Sequence, residues 1–151
     1  MVMSFQGRQV QPKAELQRMT IRDFMTRKVV TFTADQSIEE VIKTLMSKGI
    51  SGGPVVDSLG HVVGMISEGD CLKQSVRGKY LNMPNLSAKV SECMVSEVKT
   101  VTPELNILEA AQMFLSLRLR RFPVTEGDKL VGQISQKGVL RALQNLKDST
   151  W

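Results

Sequence analysis

The chain has 151 residues, enough for one compact domain or two small ones folded as one, and a chain of that size buries roughly 70% of its unfolded surface. Apolar residues make up 42%, yet no run approaches the roughly 20 residues of a membrane span, and residues 1–17 hold no apolar stretch of the signal-peptide kind, so a soluble cytoplasmic protein is expected. The formal charge of +5 suits a small anion as well as a polymer. Direct nucleic-acid binding ranks low, because the basic residues are scattered except for Arg118, Arg120 and Arg121, and aromatic rings for base stacking are few.

Residues 1–20 show no strand pattern. Ala14, Glu15, Leu16 and Met19 are spaced for a turn or two of helix, and the stretch next to Ile21 is expected to dock on one half of the chain. Val29-Val30-Thr31-Phe32 reads as a short strand. Ser37 followed by Glu40 has capping-box spacing. Ile38, Val41, Ile42, Leu45 and Met46 then form the stripe of an amphipathic helix, and Gly49 is its natural stop. Pro54-Val55-Val56 is an apolar strand, residues 57–60 a turn, and His61 to Ile66 a second strand. A helix over roughly Gly69 to Val76 follows. Arg77 to Ser87 is polar and long enough to be a surface loop.

The chain then repeats itself. At an offset of 69 residues Met94 falls on Met25, Thr100 on Thr31, Ile107 on Ile38 and Pro123-Val124 on Pro54-Val55. One residue is lost in the turn, after which Val131-Gly132 matches Val63-Gly64 and Ile134-Ser135 matches Ile66-Ser67. Asn106 takes the place of the Ser37 cap, with Glu109 at N3. Ile107, Ala110, Ala111, Phe114 and Leu115 repeat the stripe. Arg118 stands where the first copy has Gly49, so this helix is expected to end differently. A helix over Lys137 to Leu146 closes the second copy, with Val139, Leu140, Leu143 and Leu146 apolar. The unit is β-α-β-β-α, present twice, in an α+β fold. A unit unable to bury its apolar face alone stacks on its copy.

No catalytic constellation is visible. His61 is the lone histidine and sits after a turn. Cys71 and Cys93 lack metal-ligand spacing and read as small buried hydrophobes of a reducing compartment, and Gly52-Gly53-Pro54 lacks the lysine of a phosphate loop. Ser67-x-x-Asp70 is by itself a helix N-cap with an acid at N3.

Both copies resemble the cystathionine-beta-synthase (CBS) domain, and the pair is similar to a Bateman module. The resemblance rests on Ile21-Arg22-Asp23-Phe24-Met25-Thr26 and Val90-Ser91-Glu92-Cys93-Met94. It rests also on residues 49–57 against Leu119-Arg120-Arg121-Phe122-Pro123-Val124, and on residues 64–70 against 132–138. The resemblance implies two tandem β-α-β-β-α repeats packed through their sheets with pseudo-two-fold symmetry. The corresponding segments are an N-terminal extension (1–20), repeat 1 (21–76), a linker (77–88) and repeat 2 (89–147). It implies a sensor without catalysis and without a resident cofactor, commonly a disc-shaped homodimer. Such a sensor takes AMP, ADP, ATP or S-adenosylmethionine in a cleft between the repeats and acts on an effector protein that the sequence does not name.

The same resemblance assigns residues. Asp70, with Ser67, would accept the ribose hydroxyls, for which an ionised carboxylate has two acceptor oxygens. Arg120 and Arg121, ahead of Pro123, would reach phosphates. Lys99 would add charge there, Val98 would flank the base, and Met65 with Ile66 would pack its other side. For the arginines a solvated edge, and for Met65 and Val98 a place in plain core, are the competing readings. Gly138 replaces the acid in the second copy while Ser135 survives, so one competent site per chain is expected. A ligand-free dimerisation or interaction scaffold is the alternative.

Overall fold

The computed structural model describes residues 16–80 and 86–149, so the readings at Ala14 and Glu15 lie outside the described residues. In chain order the elements are α1 (Ile38–Lys48), β1 (Gly52–Val56), β2 (Val62–Ser67), α2 (Glu68–Tyr80) and the short α3 (Val90–Cys93). The second copy supplies α4 (Ile107–Leu117), β3 (Arg121–Glu126), β4 (Lys129–Ser135) and α5 (Gln136–Ser149).

Local chemistry explains the helices. Ser37 Oγ accepts the Glu40 amide N–H at 3.2 Å and Asn106 Oδ1 that of Leu108 at 2.8 Å, each satisfying an amide that the first turn leaves unpaired. Ile38, Val41 and Leu45 of α1, and Ile107, Ala110 and Phe114 of α4, are buried as the stripes require. The stripes are wider than the cores they feed, however. Met46 is 71% exposed and Leu115 is 80% exposed. Contrary to expectation, α4 ends as α1 does: Gly49 is left-handed at φ +63° and Arg118 at φ +55°. Arg118 takes a conformation that glycine enters at no steric cost, because the chain must turn there into β3. The loop expected from Arg77 begins later than the sequence implied. No proline interrupts the chain at that point, and α2 runs on to Tyr80.

Each copy contributes one two-stranded antiparallel sheet, β1 with β2 and β3 with β4. In the first, Gly52 faces Ser67 and Val55 faces Gly64, with an irregularity between Val55 and Val56. The strand expected over Val29–Phe32 shrinks to one parallel bridge. Phe32 donates its N–H to Pro54 O at 2.9 Å and accepts from Val56 N–H at 2.8 Å. Val101 repeats this against Pro123 and Thr125.

The compact units do not follow chain order. Unit 2 comprises residues 28–99 and 127–130; unit 1 comprises the described residues 16–27, 100–126 and 131–149. The segment that opens the first copy therefore belongs to the core of the second. Ile21, fully buried, lies among Ile107, Phe114, Phe122, Val124 and Ile134. Its match Val90, also fully buried, lies among Phe32, Ile38, Leu45, Val55 and Ile66 of unit 2. Each strap is also hydrogen-bonded to its host. Ile21 donates to Leu105 O at 3.0 Å, and the Asn106 side-chain amide donates to the carbonyls of Leu16, Gln17 and Met19. Arg22 pairs with Glu104 and, at 3.3 Å, with Glu126.

Inside unit 2 a Cβ on Gly53 would lie 2.7 Å from Val30 O and 3.1 Å from the Phe32 ring. Copy two holds Phe122 where copy one has Gly53, and Val101 where it has Phe32. The large ring therefore sits on the other strand in copy two, and the pair there is larger by the difference between glycine and valine. Phe122 then stacks on Phe114 with ring centroids 4.5 Å apart. Gly53→Ala is expected to cost about 1–3 kcal/mol by overpacking. The same change in a Phe32→Val background should cost only slightly less, because the closer contact with the Val30 backbone oxygen remains, and a double-mutant cycle in urea checks the small coupling. At the helix ends, Gly49→Ala should cost about 1 kcal/mol and Arg118→Gly should raise stability by a similar amount, read by calorimetry.

Candidate functional site

In unit 2 the sequence-predicted Ser67 and Asp70 come together at the junction of β2 and α2. Asp70 Oδ2 accepts the backbone N–H and the hydroxyl of Ser67, both at 2.9 Å, while Ser67 Oγ accepts the Asp70 N–H at 3.3 Å. The cap and the acid thus hold each other. Among the described residues no donor reaches Asp70 Oδ1, and Asp70 is only partly buried. A fixed carboxylate with one oxygen spoken for and one open is an acceptor for a ligand hydroxyl. The cap reading of Ser67-x-x-Asp70 is what these hydrogen bonds show.

Met65 lies two residues before Ser67 on the same face of β2, and exchanges backbone hydrogen bonds with Val95 at 2.9 Å in each direction. That strap runs on to Val98, half-buried, and Lys99, exposed, so these four positions and Asp70 share one unit. Arg120, Arg121 and Pro123 belong to unit 1. Arg120 is exposed; its carbonyl accepts the Gln136 N–H at 3.3 Å, while the Gln136 side-chain amide donates to Leu119 O at 3.0 Å, tying this loop to the start of α5. Arg121 is half-buried at the head of β3. Pro123 is a core residue whose carbonyl holds Val101.

Two determinants escaped the sequence reading. A Cβ on Gly52 would lie 2.5 Å from Ile66 O and 3.0 Å from Ser67 Cα, so only glycine lets β1 pass this close to the cap. The signal was present as Gly52-Gly53, although its spacing carries no phosphate-loop meaning. The second is the strap over β2. Met94 Sδ would lie 2.4 Å from a Cβ on Gly64, as Met25 Sδ would lie 2.8 Å from one on Gly132.

The matching position in unit 1 is closed rather than merely neutral. Ser135 Oγ still caps, accepting the Gly138 N–H at 3.2 Å. A Cβ on Gly138 would meet Ile134 Cδ1 at 2.8 Å and the Phe24 carbonyl oxygen at 3.2 Å. A carboxylate added there would also face that carbonyl, a second acceptor.

The thiols are quiet. Burial, with the Asp70 carboxylate and Cys93 nearby, pushes Cys71 up to about 11, and burial raises Cys93 as well. His61 sits at a turn, its Nδ1 3.5 Å from Asp57 Oδ2. No group of three or more His, Cys, Asp or Glu among the described residues could hold a metal ion, and none of their helices is long and apolar enough to cross a membrane.

The fold belongs to a known class. The CBS domain profile matches residues 21–77 and again 90–145, and the chain belongs to the CBS domain family. Among its relatives, the chloroplastic CBS domain-containing protein CBSX2 of Arabidopsis thaliana is 27% identical over 157 residues, covering 87% of this chain and 66% of CBSX2. YhcV of Bacillus subtilis is 27% identical over 117 residues, covering 77% of this chain and 79% of YhcV. The crystal structure of CBSX2 in complex with AMP superposes with a TM-score of 0.74 at 27% identity, over 85% of this chain and 98% of that one. The chain thus spans just under two thirds of CBSX2's full length.

Two outcomes follow. Gly138→Asp should destabilise the protein by about 1–3 kcal/mol in denaturant melts, because Ile134 must shift while the Phe24 carbonyl is backbone and yields little. Iodoacetamide at pH 8 should modify native Cys71 far more slowly than a free thiol, and unfolding should abolish the protection, as mass spectrometry would show.

Proposed function

We propose that this chain is a regulatory sensor of an adenosine-containing ligand, AMP first among AMP, ADP, ATP and S-adenosylmethionine. The observation that carries the reading is the Asp70 carboxylate, pinned through Oδ2 by Ser67 and open at Oδ1, in a chain whose other copy has glycine at that place. Membership of the CBS family and the likeness to a protein solved with AMP support it. In this reading Asp70 accepts from the ribose hydroxyls, and Met65 and Val98 flank the base. Lys99, Arg120 and Arg121 supply cationic donors to phosphate, each such bond worth roughly 1.5–3 kcal/mol. Pro123, buried within β3, holds the Val101 segment through its carbonyl and so positions the strand that carries Arg121.

Sensing needs no reaction. A ligand that binds one arrangement of the chain better than another shifts the population toward it, and an effector protein reads the shift. The bare apolar residues of the helices support a homodimer as the working form. The shielded thiols suit a reducing compartment such as the cytoplasm.

AMP at 100 times its dissociation constant stabilises by about 2.7 kcal/mol, which for a chain of this size raises the melting temperature by about 5–10 °C. Asp70→Asn keeps an oxygen for the Ser67 donors but gives up the negative charge. It is therefore expected to fold normally and to lose most of that AMP shift in differential scanning fluorimetry. An unshifted wild type, or an equal shift in Asp70→Asn, would favour the scaffold reading.

A further inference from the structure

We infer that Val95 is a base-contact residue, and that with Met65 it forms an apolar platform which the other copy replaces by a polar pair. The inference rests on the adenosine-ligand reading given above and names the side chain that would meet the purine face. Val95 and Met65 stand directly opposite each other: each donates its backbone N–H to the other's carbonyl at 2.9 Å. Residues that exchange both bonds across an antiparallel bridge carry their side chains on the same face. Along β2 the buried Gly64 and Ile66 face the core, so Met65 and Ser67 alternate onto the outer face. Val95 joins them there. It is 51% exposed, Met65 is half-buried, and neither belongs to the hydrophobic core of unit 2.

A single exposed valine needs no explanation. This one continues an apolar surface that ends at a capped carboxylate. Met65 lies beside it, Ser67 follows on the same strand face, and Ser67 holds Asp70 with Oδ1 open. The backbone groups of the pair are spent on each other, so what the platform offers a ligand is aliphatic and thioether surface. A flat aromatic ring suits that surface, and thioether sulfur favours aromatic contact. The duplication supplies a comparison within one chain. Thr26 and Gln133 hold the places of Val95 and Met65 in unit 1, and exchange the same two bonds at 2.8 and 2.9 Å. Thr26 is exposed, and Gln133 Oε1 is buried with no hydrogen-bond partner among the described residues. A purine face laid on that pair would cover a hydroxyl and an amide without satisfying them. Unit 1 thus differs from unit 2 at both halves of a nucleoside: glycine at the acid for the ribose, polar side chains at the platform for the base.

Titration of the full chain with AMP, followed by calorimetry, tests the assignment. Val95→Thr keeps the β-branched shape and the backbone bonds and exchanges one methyl for a hydroxyl. It is expected to melt like wild type without ligand and to bind AMP about threefold to tenfold more weakly. Val95→Ile, which restores the apolar surface, should bind AMP at least as tightly as wild type. A merely structural role for Val95 would move the ligand-free melt and would not follow this order of Ile, Val and Thr. Wild-type affinity in Val95→Thr, together with lost binding in Asp70→Asn, would overturn the platform and leave the Asp70 reading standing. Weakened binding in Val95→Thr with none lost in Asp70→Asn would sustain the base contact and overturn the ribose acceptor. A wild-type chain that takes no AMP would overturn both.

Discussion

Everything in this fold depends on the burial of two small hydrophobic anchors, Ile21 and Val90, each at 0% exposure in the core of the copy that it does not open. Burying one such side chain is worth roughly 1.5–3 kcal/mol. Its structural effect is larger than that figure suggests. The strap behind each anchor brings a methionine onto a strand glycine, Met25 on Gly132 and Met94 on Gly64. It also pairs with the same strand, Thr26 with Gln133 and Val95 with Met65. The outer edge of each sheet is thereby covered by chain from the other repeat. In unit 2 this is the edge that leads into Ser67 and Asp70, so the strap and the candidate site are one construction.

Duplication supplied the scaffold, and divergence then worked within it under two different constraints. In the core the large ring stands at Phe32 beside Gly53 in one copy and at Phe122 beside Val101 in the other. At Gly138 the Ile134 side chain and the Phe24 carbonyl occupy the space that an acid's side chain would need, so the second copy offers no carboxylate there. The surviving carboxylate at Asp70 is therefore best understood against its twin. Both copies keep the serine cap that the helix needs, and only one keeps the oxygen that the helix does not.

The repeat, its register and the two amphipathic helices were legible in the sequence, because caps, stripes and offsets are local and periodic. Ser67 with Asp70 was legible as a cap for the same reason. The straps were less so: Ile21 and Val90 sit in segments too short for periodicity, and which copy receives them is a tertiary choice. The first strand of copy one was over-read, since Val29-Val30-Thr31-Phe32 fits a strand yet finds only one bridging position, at Phe32. Arg118 shows the converse case. Its residue type argued against a left-handed end, and the turn into β3 imposed one. Pro123, grouped with the expected site residues, is buried within β3.

The central claim is that one copy kept a ribose acceptor and the other closed its own, so each chain takes one adenosine ligand through Asp70. Isothermal titration with AMP tests this most directly. The account predicts one AMP bound per chain, with that binding lost in Asp70→Ala. Two AMP bound per chain, or one still bound with unchanged affinity in Asp70→Ala, would contradict it.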